Sequence, residues 1–160
     1  MILYHGSNIE IETIDLSKSK PNKDFGKAFY LSEEVQQAKE MAAFTVDRFG
    51  WKPIISSFEF DGNLLNDRQL QVKTFDGYSR EWAEFIFSNR DTDSAVNIHN
   101  YDIVYGPIAN DKVGRQMFNL REGYIDIDEF MRRLHYMKGI TFQYAFCTEL
   151  AISKLKKIWI

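Results

Sequence analysis

Two short stretches hold the residue types that could do chemistry. The chain begins MILYHGSN, and from Lys23 it reads KDFGKAFYLS. A neutral imidazole at His5 offers one hydrogen-bond donor and one acceptor. At Gly6 no Cβ stands in the way, so a ligand or another backbone can come close. Tyr30 offers a ring face and a hydroxyl. These groups make a site only if one pocket gathers them. His5 and Ser7 equally suit a strand-to-loop turn and Tyr30 a core position. Any one residue alone favours that plain reading.

Other chemistry is poorly supplied. The sequence has no GxGxxG turn, P-loop, HExxH or GxSxG. Cys147 is the sole cysteine, which excludes an internal disulfide and a cysteine-cluster zinc site. As a nucleophile beside His5 it is conceivable, but a cysteine inside an apolar strand reads as inert packing. Three dispersed histidines, His5, His99 and His135, argue against any metal site.

The elements that must position these residues follow from the pattern. Met1–Tyr4 reads as a buried strand ending in a His5-Gly6-Ser7 turn, and Ala28–Leu31 as a second strand. Ser32 suits an N-cap, with Glu33 and Glu34 in the first turn of a helix reaching about Arg48, where Gly50 stops it. Pro53–Phe60 alternates as a strand with Phe58 and Phe60 on one face. Tyr78–Asn89 is a helix with Trp82, Phe85, Ile86 and Asn89 on one face, followed by a polar loop to Asn100. Tyr101–Ile108 is a strand, and Asn110 or Asp111 caps a helix to about Leu120. Asp126 or Asp128 starts another, with Phe130, Leu134 and Met137 inward. Thr141–Cys147 is a strand, and Thr148 caps a last helix carrying Leu150, Ile152 and Leu155. Strands near both ends could pair. The irregular interleaving defines an α+β class with strands in the minority.

With 160 residues, residues 1–160 form one domain, large enough for a real core. Thirteen Phe and eight Tyr predict a core rich in rings, and a net charge of −3 removes any global field for nucleic acid. There is no basic-then-apolar leader and no apolar run near the ~18 residues of a membrane span. The expectation is a cytoplasmic protein with no membrane contact.

LYHGS and DFGKAFYLSEEVQQA together resemble the first two motifs of ADP-ribosyltransferases, in particular the poly-ADP-ribose polymerase branch. There an HGS turn ends one strand, and FGKGIYF leads into a helix carrying a small residue and a second aromatic. The whole chain, from Met1 to about Leu155, resembles a bacterial family of unknown function within that superfamily. YHGS, DFGKAFYLS with the later QA, W..F...NR at Trp82–Arg90, YDIVYGPIANDKV, and Q.AF.T..A at Gln143–Ala151 carry the likeness.

The resemblance implies a split core of two short sheets with helices packed around it, and NAD, as substrate, in the cleft between. It implies that the Gly6 backbone pairs with the nicotinamide carboxamide and that His5 bonds a ribose hydroxyl. Tyr30 would supply a ring face, so that the ordered set of His5, Gly6, Ser7 and Tyr30 is the implied NAD-binding set. The second clamping aromatic falls near Met41, with Phe44 a turn beyond, and the small hydroxyl expected near Gln37 or Ala38 is missing, which shifts that hydrogen bond to Gln37. Arg90 could bind the diphosphate, although a solvated helix end is the plainer reading; Asn110 and Asp111 read as caps. Gln143 stands where these enzymes commonly carry a glutamate, so His5 and Gln143 are the catalytic candidates. Gln143 keeps a hydrogen bond to the ribose but offers no charge to an oxocarbenium-like transition state and no general base. Glu149 or Glu84 could supply a carboxylate from elsewhere.

The implied activity is ADP-ribosyl transfer from NAD to a macromolecular acceptor, protein or nucleic acid, in an intracellular bacterial toxin restrained by a small antitoxin or in a phage-defence effector. The alternative is a noncatalytic NAD- or nucleotide-binding module whose site has degenerated at Gln143.

Overall fold

The computed structural model describes residues 1–159. The fold is mixed α+β, with two sheets and five α-helices among the described residues. β1 (Ile2–Ser7), β3 (Ile54–Glu59) and β7 (Lys156–Ile158) form one antiparallel sheet in the order β1-β3-β7. β2 (Phe29–Leu31), β6 (Phe142–Phe146), β5 (Ile103–Pro107) and β4 (Val72–Thr74) form the other, in the order β2-β6-β5-β4. The β4–β5 pair is parallel, and α2 (Arg80–Arg90) is its crossover, as a parallel pair requires.

The period of two along each strand divides the core. Leu3, Leu31, Phe58, Ile103, Tyr144 and Phe146 point between the two sheets and form one buried cluster with Phe60. Their neighbours Val104 and Ala145 point to the other face of the second sheet. There they meet Trp82 and Ile86 of α2, Val113 and Met117 of α3 (Asp111–Arg121), and Phe130 and Leu134 of α4 (Ile127–His135). α1 (Val35–Phe49) lies on the outer face of the first sheet, with Ala38 and Ala42 buried at Gly6.

Local chemistry explains most element starts. Ser79, Asn110, Asp126 and Thr148 cap α2, α3, α4 and α5 (Glu149–Ile152), each accepting a backbone N–H with its side chain. Three expectations are corrected. His5-Gly6-Ser7 is no turn: β1 continues to Ser7, paired with Ile54. Ser32 does not cap α1, whose N-cap is Glu34 without a side-chain bond. The Ser32 backbone is held extended by a two-way bridge to Tyr4, 2.8 and 2.9 Å, which a helix start would break. The last helix stops at Ile152, and β7 follows it. Strands near the two ends do pair, as the sequence allowed: β6 lies between β2 and β5. No described helix is long and apolar enough to cross a membrane.

Candidate functional site

The two motifs meet at the seam between the sheets. Met1 and Phe60 exchange both backbone hydrogen bonds across β1 and β3, at 2.8 and 3.0 Å. In an antiparallel ladder such pairs alternate, so Leu3, His5 and Ser7 turn their N–H and C=O toward β3. Ile2, Tyr4 and Gly6 turn theirs to the opposite edge. On that edge Tyr4 is bridged to Ser32, and the same register sets Gly6 opposite Tyr30. There the strands part. No described residue bonds the Gly6 N–H or C=O, which leaves one donor and one acceptor side by side in the split.

His5 spans the split from the neighbouring position. Its Nδ1 lies 2.8 Å from the Tyr30 carbonyl oxygen; a carbonyl only accepts, so Nδ1 carries the proton and Nε2 is the acceptor. The ring stacks on Phe29, centroids 4.3 Å apart. Burial, and to a lesser degree the Lys157 ammonium, depress the His5 pKa below its ordinary 6.5, against the bond to Tyr30. His5 is therefore neutral at pH 7, with Nε2 lacking any described partner. Ser7 is half-buried at the end of β1, on the face of Leu3 and His5.

Tyr30 forms the opposite lip. Its hydroxyl donates to the Gly26 carbonyl at 2.6 Å and accepts the Phe25 N–H at 3.0 Å, and burial pushes its pKa well above the usual range. The turn that holds it is clamped in its own right. Arg90 pairs with Asp24, and Asn89 donates to the Asp24 carbonyl. Asn97 takes the Lys27 N–H and returns a bond to the Lys27 carbonyl. His99 donates to the Phe25 carbonyl at 2.8 Å. Gly26 sits at a φ of 88°, and a Cβ there would overlap Asn97. Thus Arg90, read from sequence as a solvated helix end that could also reach a diphosphate, has its guanidinium engaged by Asp24.

Along α1, Gln37, Met41 and Phe44 follow one another at helical spacing on one flank. Gln37 is half-buried, and Met41 is 47% exposed. Gln143, paired with Gly106 in β6, shares with Ala145 and Tyr30 the face opposite to Phe142, Tyr144 and Phe146. Its side chain has no described hydrogen-bond partner. The nearby carboxylate Glu33 accepts from the Tyr144 hydroxyl, which places it on the other face of the strand. Glu84 pairs with Arg80 on the solvent face of α2, and Glu149 opens α5 at the far end of β6. Asn110 serves as the α3 cap and Asp111 lies in its first turn.

Cys147 is held as a thiol, its pKa pushed up to about 12 by burial and then by Asp102. It lines a cavity of about 400 Å³ with Lys27, Asn97, His99 and Tyr101 that includes none of His5, Gly6, Tyr30 or Gln143. Among the described residues no three His, Cys, Asp or Glu gather as metal ligands would.

Sequence reasoning missed Phe29 and Lys157. The alternation beside Tyr30 could have turned Phe29 to the His5 side; Lys157 gives no such signal, because β7 reaches His5 through β3.

Fold and site together define a mixed α+β protein with a backbone edge open at Gly6, where its two sheets part. The chain belongs to DUF3990, a family of proteins of unknown function, whose model matches residues 1–157. No curated protein and no solved structure matches it.

Proposed function

We propose that the split between β1 and β2 binds NAD and that the chain transfers ADP-ribose from it to a macromolecular acceptor. The observation that carries this reading is the N–H and C=O of Gly6 opposite Tyr30, which no described residue bonds. A carboxamide has one acceptor oxygen and two donor hydrogens, and such an edge matches it with two parallel hydrogen bonds. The Tyr30 ring would lie on one side of that carboxamide and the Gln37–Met41 flank of α1 on the other. His5, locked as the Nδ1–H tautomer, presents Nε2 to a ribose hydroxyl. Gln143, on the face of Tyr30 and with no described hydrogen-bond partner for its side chain, would bond the ribose next to the nicotinamide.

The test is calorimetry with NAD, followed by measurement of nicotinamide release. His5→Ala is expected to weaken NAD binding by about 1–2 kcal/mol, one hydrogen bond plus the group left unpaired. Absence of heat and of any melting shift at millimolar NAD or nicotinamide would end the reading. Met41→Tyr or Met41→Trp is expected to tighten nicotinamide binding by about 0.5–1.5 kcal/mol, the increment of an aromatic pair over the softer thioether. Unchanged affinity in both variants would remove Met41 from the clamp and leave Tyr30 in it.

One observation favours a second reading, a noncatalytic NAD-binding module: Gln143 brings no charge, and Glu33 is held on the opposite face by Tyr144. NAD binding without nicotinamide release would select that reading.

A further inference from the structure

The end of α1 carries a feature that NAD binding leaves unused. Gly50 caps the helix at a φ of 78°, and Trp51 follows at 76°. A bulky side chain at positive φ is a backbone outlier, and nothing buried offsets it: Trp51 is 78% exposed and Phe49 62%. The Lys20 ammonium stands 5.3 Å from the centre of the Phe49 ring and the Arg48 guanidinium 5.6 Å. These groups sit at the open end of the split. Asn8, just past β1, donates to the Gly50 carbonyl at 3.2 Å. On the other lip Ser19, next to Lys20, bonds both the N–H and the carbonyl of Ala28.

Charge singles out the same place. The segments KSKPNK (18–23) and RFGWK (48–52) meet where Lys20 covers Phe49, and they hold five cations and no carboxylate in a chain of net charge −3. Of the flanking acids, Asp24 is neutralised by Arg90, and Asp47 is exposed on α1.

We propose that this rim binds single-stranded nucleic acid and presents it to the cleft as the acceptor of ADP-ribose. Exposed rings interleaved with cations suit a strand whose phosphates meet the charges while its unstacked bases lie on the rings. A duplex hides those base faces, and an acidic peptide would leave Phe49 and Trp51 bare. In the transfer, the bond between C1′ and the nicotinamide nitrogen breaks, and nicotinamide leaves as the neutral base with the electron pair. A base amine donates its lone pair to C1′ and releases one proton to solvent. The transfer rests on the NAD reading of the cleft, whereas strand binding does not.

The experiment is fluorescence anisotropy of the full chain with labelled mixed-sequence RNA and DNA single strands of about 12 nucleotides. Binding is expected to weaken as salt rises and to exceed that of the matching duplex. It is expected to fall at least about tenfold in Trp51→Ala, as loss of a stacked base predicts, and in the Lys20→Glu, Arg48→Glu double variant. All three side chains reach solvent, and unchanged melting temperatures verify that the variants fold. No binding at low salt, equal binding of duplex, or variants that bind as the native chain does would overturn the proposal. The same strands are then incubated with radiolabelled NAD. Label on the strand supports the acceptor role, and nicotinamide release with an unlabelled strand overturns that role while sparing the NAD reading. Strand binding without nicotinamide release overturns the transfer through failure of the NAD reading instead.

Discussion

Gln143→Glu is expected to release nicotinamide from NAD about ten to a hundred times faster than the native chain, equivalent to roughly 1.4–2.7 kcal/mol of barrier. As the C–N bond stretches, positive charge gathers on the ribose, and a carboxylate beside it stabilises that charge where an amide supplies a dipole alone. Gln143 is the position where the substitution is informative, for two reasons. Strand alternation turns it to the face of Tyr30, and no described side chain competes for its amide. Glu33 cannot act in its place, since the Tyr144 hydroxyl holds it on the far face. Gln143→Ala is expected to abolish release without loss of fold, because β6 is held through its ladder to β2 and β5. Nicotinamide release from the three proteins decides the matter. Equal rates would remove Gln143 from the chemical centre, and no release from any of them would select the binding module.

The second large effect is on stability. Gly6→Ala is expected to destabilise the protein by about 3 kcal/mol or more, beyond ordinary overpacking, because the obstacle is helix backbone rather than a side chain that can turn aside. A Cβ at Gly6 would overlap the Ala38 carbonyl oxygen and lie 2.8 Å from the Ala42 nitrogen. To admit it, α1 must lift off β1, carrying the Gln37–Met41 flank away from the split. At about 2–4 °C per kcal/mol for a domain of this size, the melting temperature should fall by roughly 6–12 °C. Gly114→Ala is the matched control. Gly114 lies inside α3 with open space where a Cβ would go, so the same substitution there should stabilise by about 0.5–1 kcal/mol. Thermal melts of the two variants measure the contrast; a Gly6→Ala protein as stable as the native chain would mean that α1 does not rest on β1.

Those two glycines mark what kind of information each level holds. Sequence alone could say that Gly6 permits close approach, and it did not distinguish approach by a ligand from approach by a helix. The fold uses both directions at once: the missing Cβ admits α1 on one face, while the N–H and C=O lie in the plane of the sheet and face the split. Arg90 teaches a related lesson. Its type suits a phosphate, and its partner proved to be Asp24, which lies far away in the chain.

By itself the sequence determined the α+β class, the cap at Thr148, the Asn110/Asp111 and Asp126/Asp128 pairs that hold the caps of α3 and α4, the inward rings of Phe58, Phe60, Trp82 and Phe130, and the alternation that turns Gln143 away from Tyr144. These are local properties, set by turn chemistry and by periods of two and 3.6 residues. Tertiary structure alone decided that His5-Gly6-Ser7 would be strand rather than turn, and that Ser32 would bridge to Tyr4 rather than cap α1. It also decided that β7 would close the first sheet and that Gly6 would face Tyr30 across an unpaired gap. Each of these depends on which strand lies alongside, and strand pairing is settled by burial and hydrogen bonding between segments distant in the chain, which no local pattern encodes.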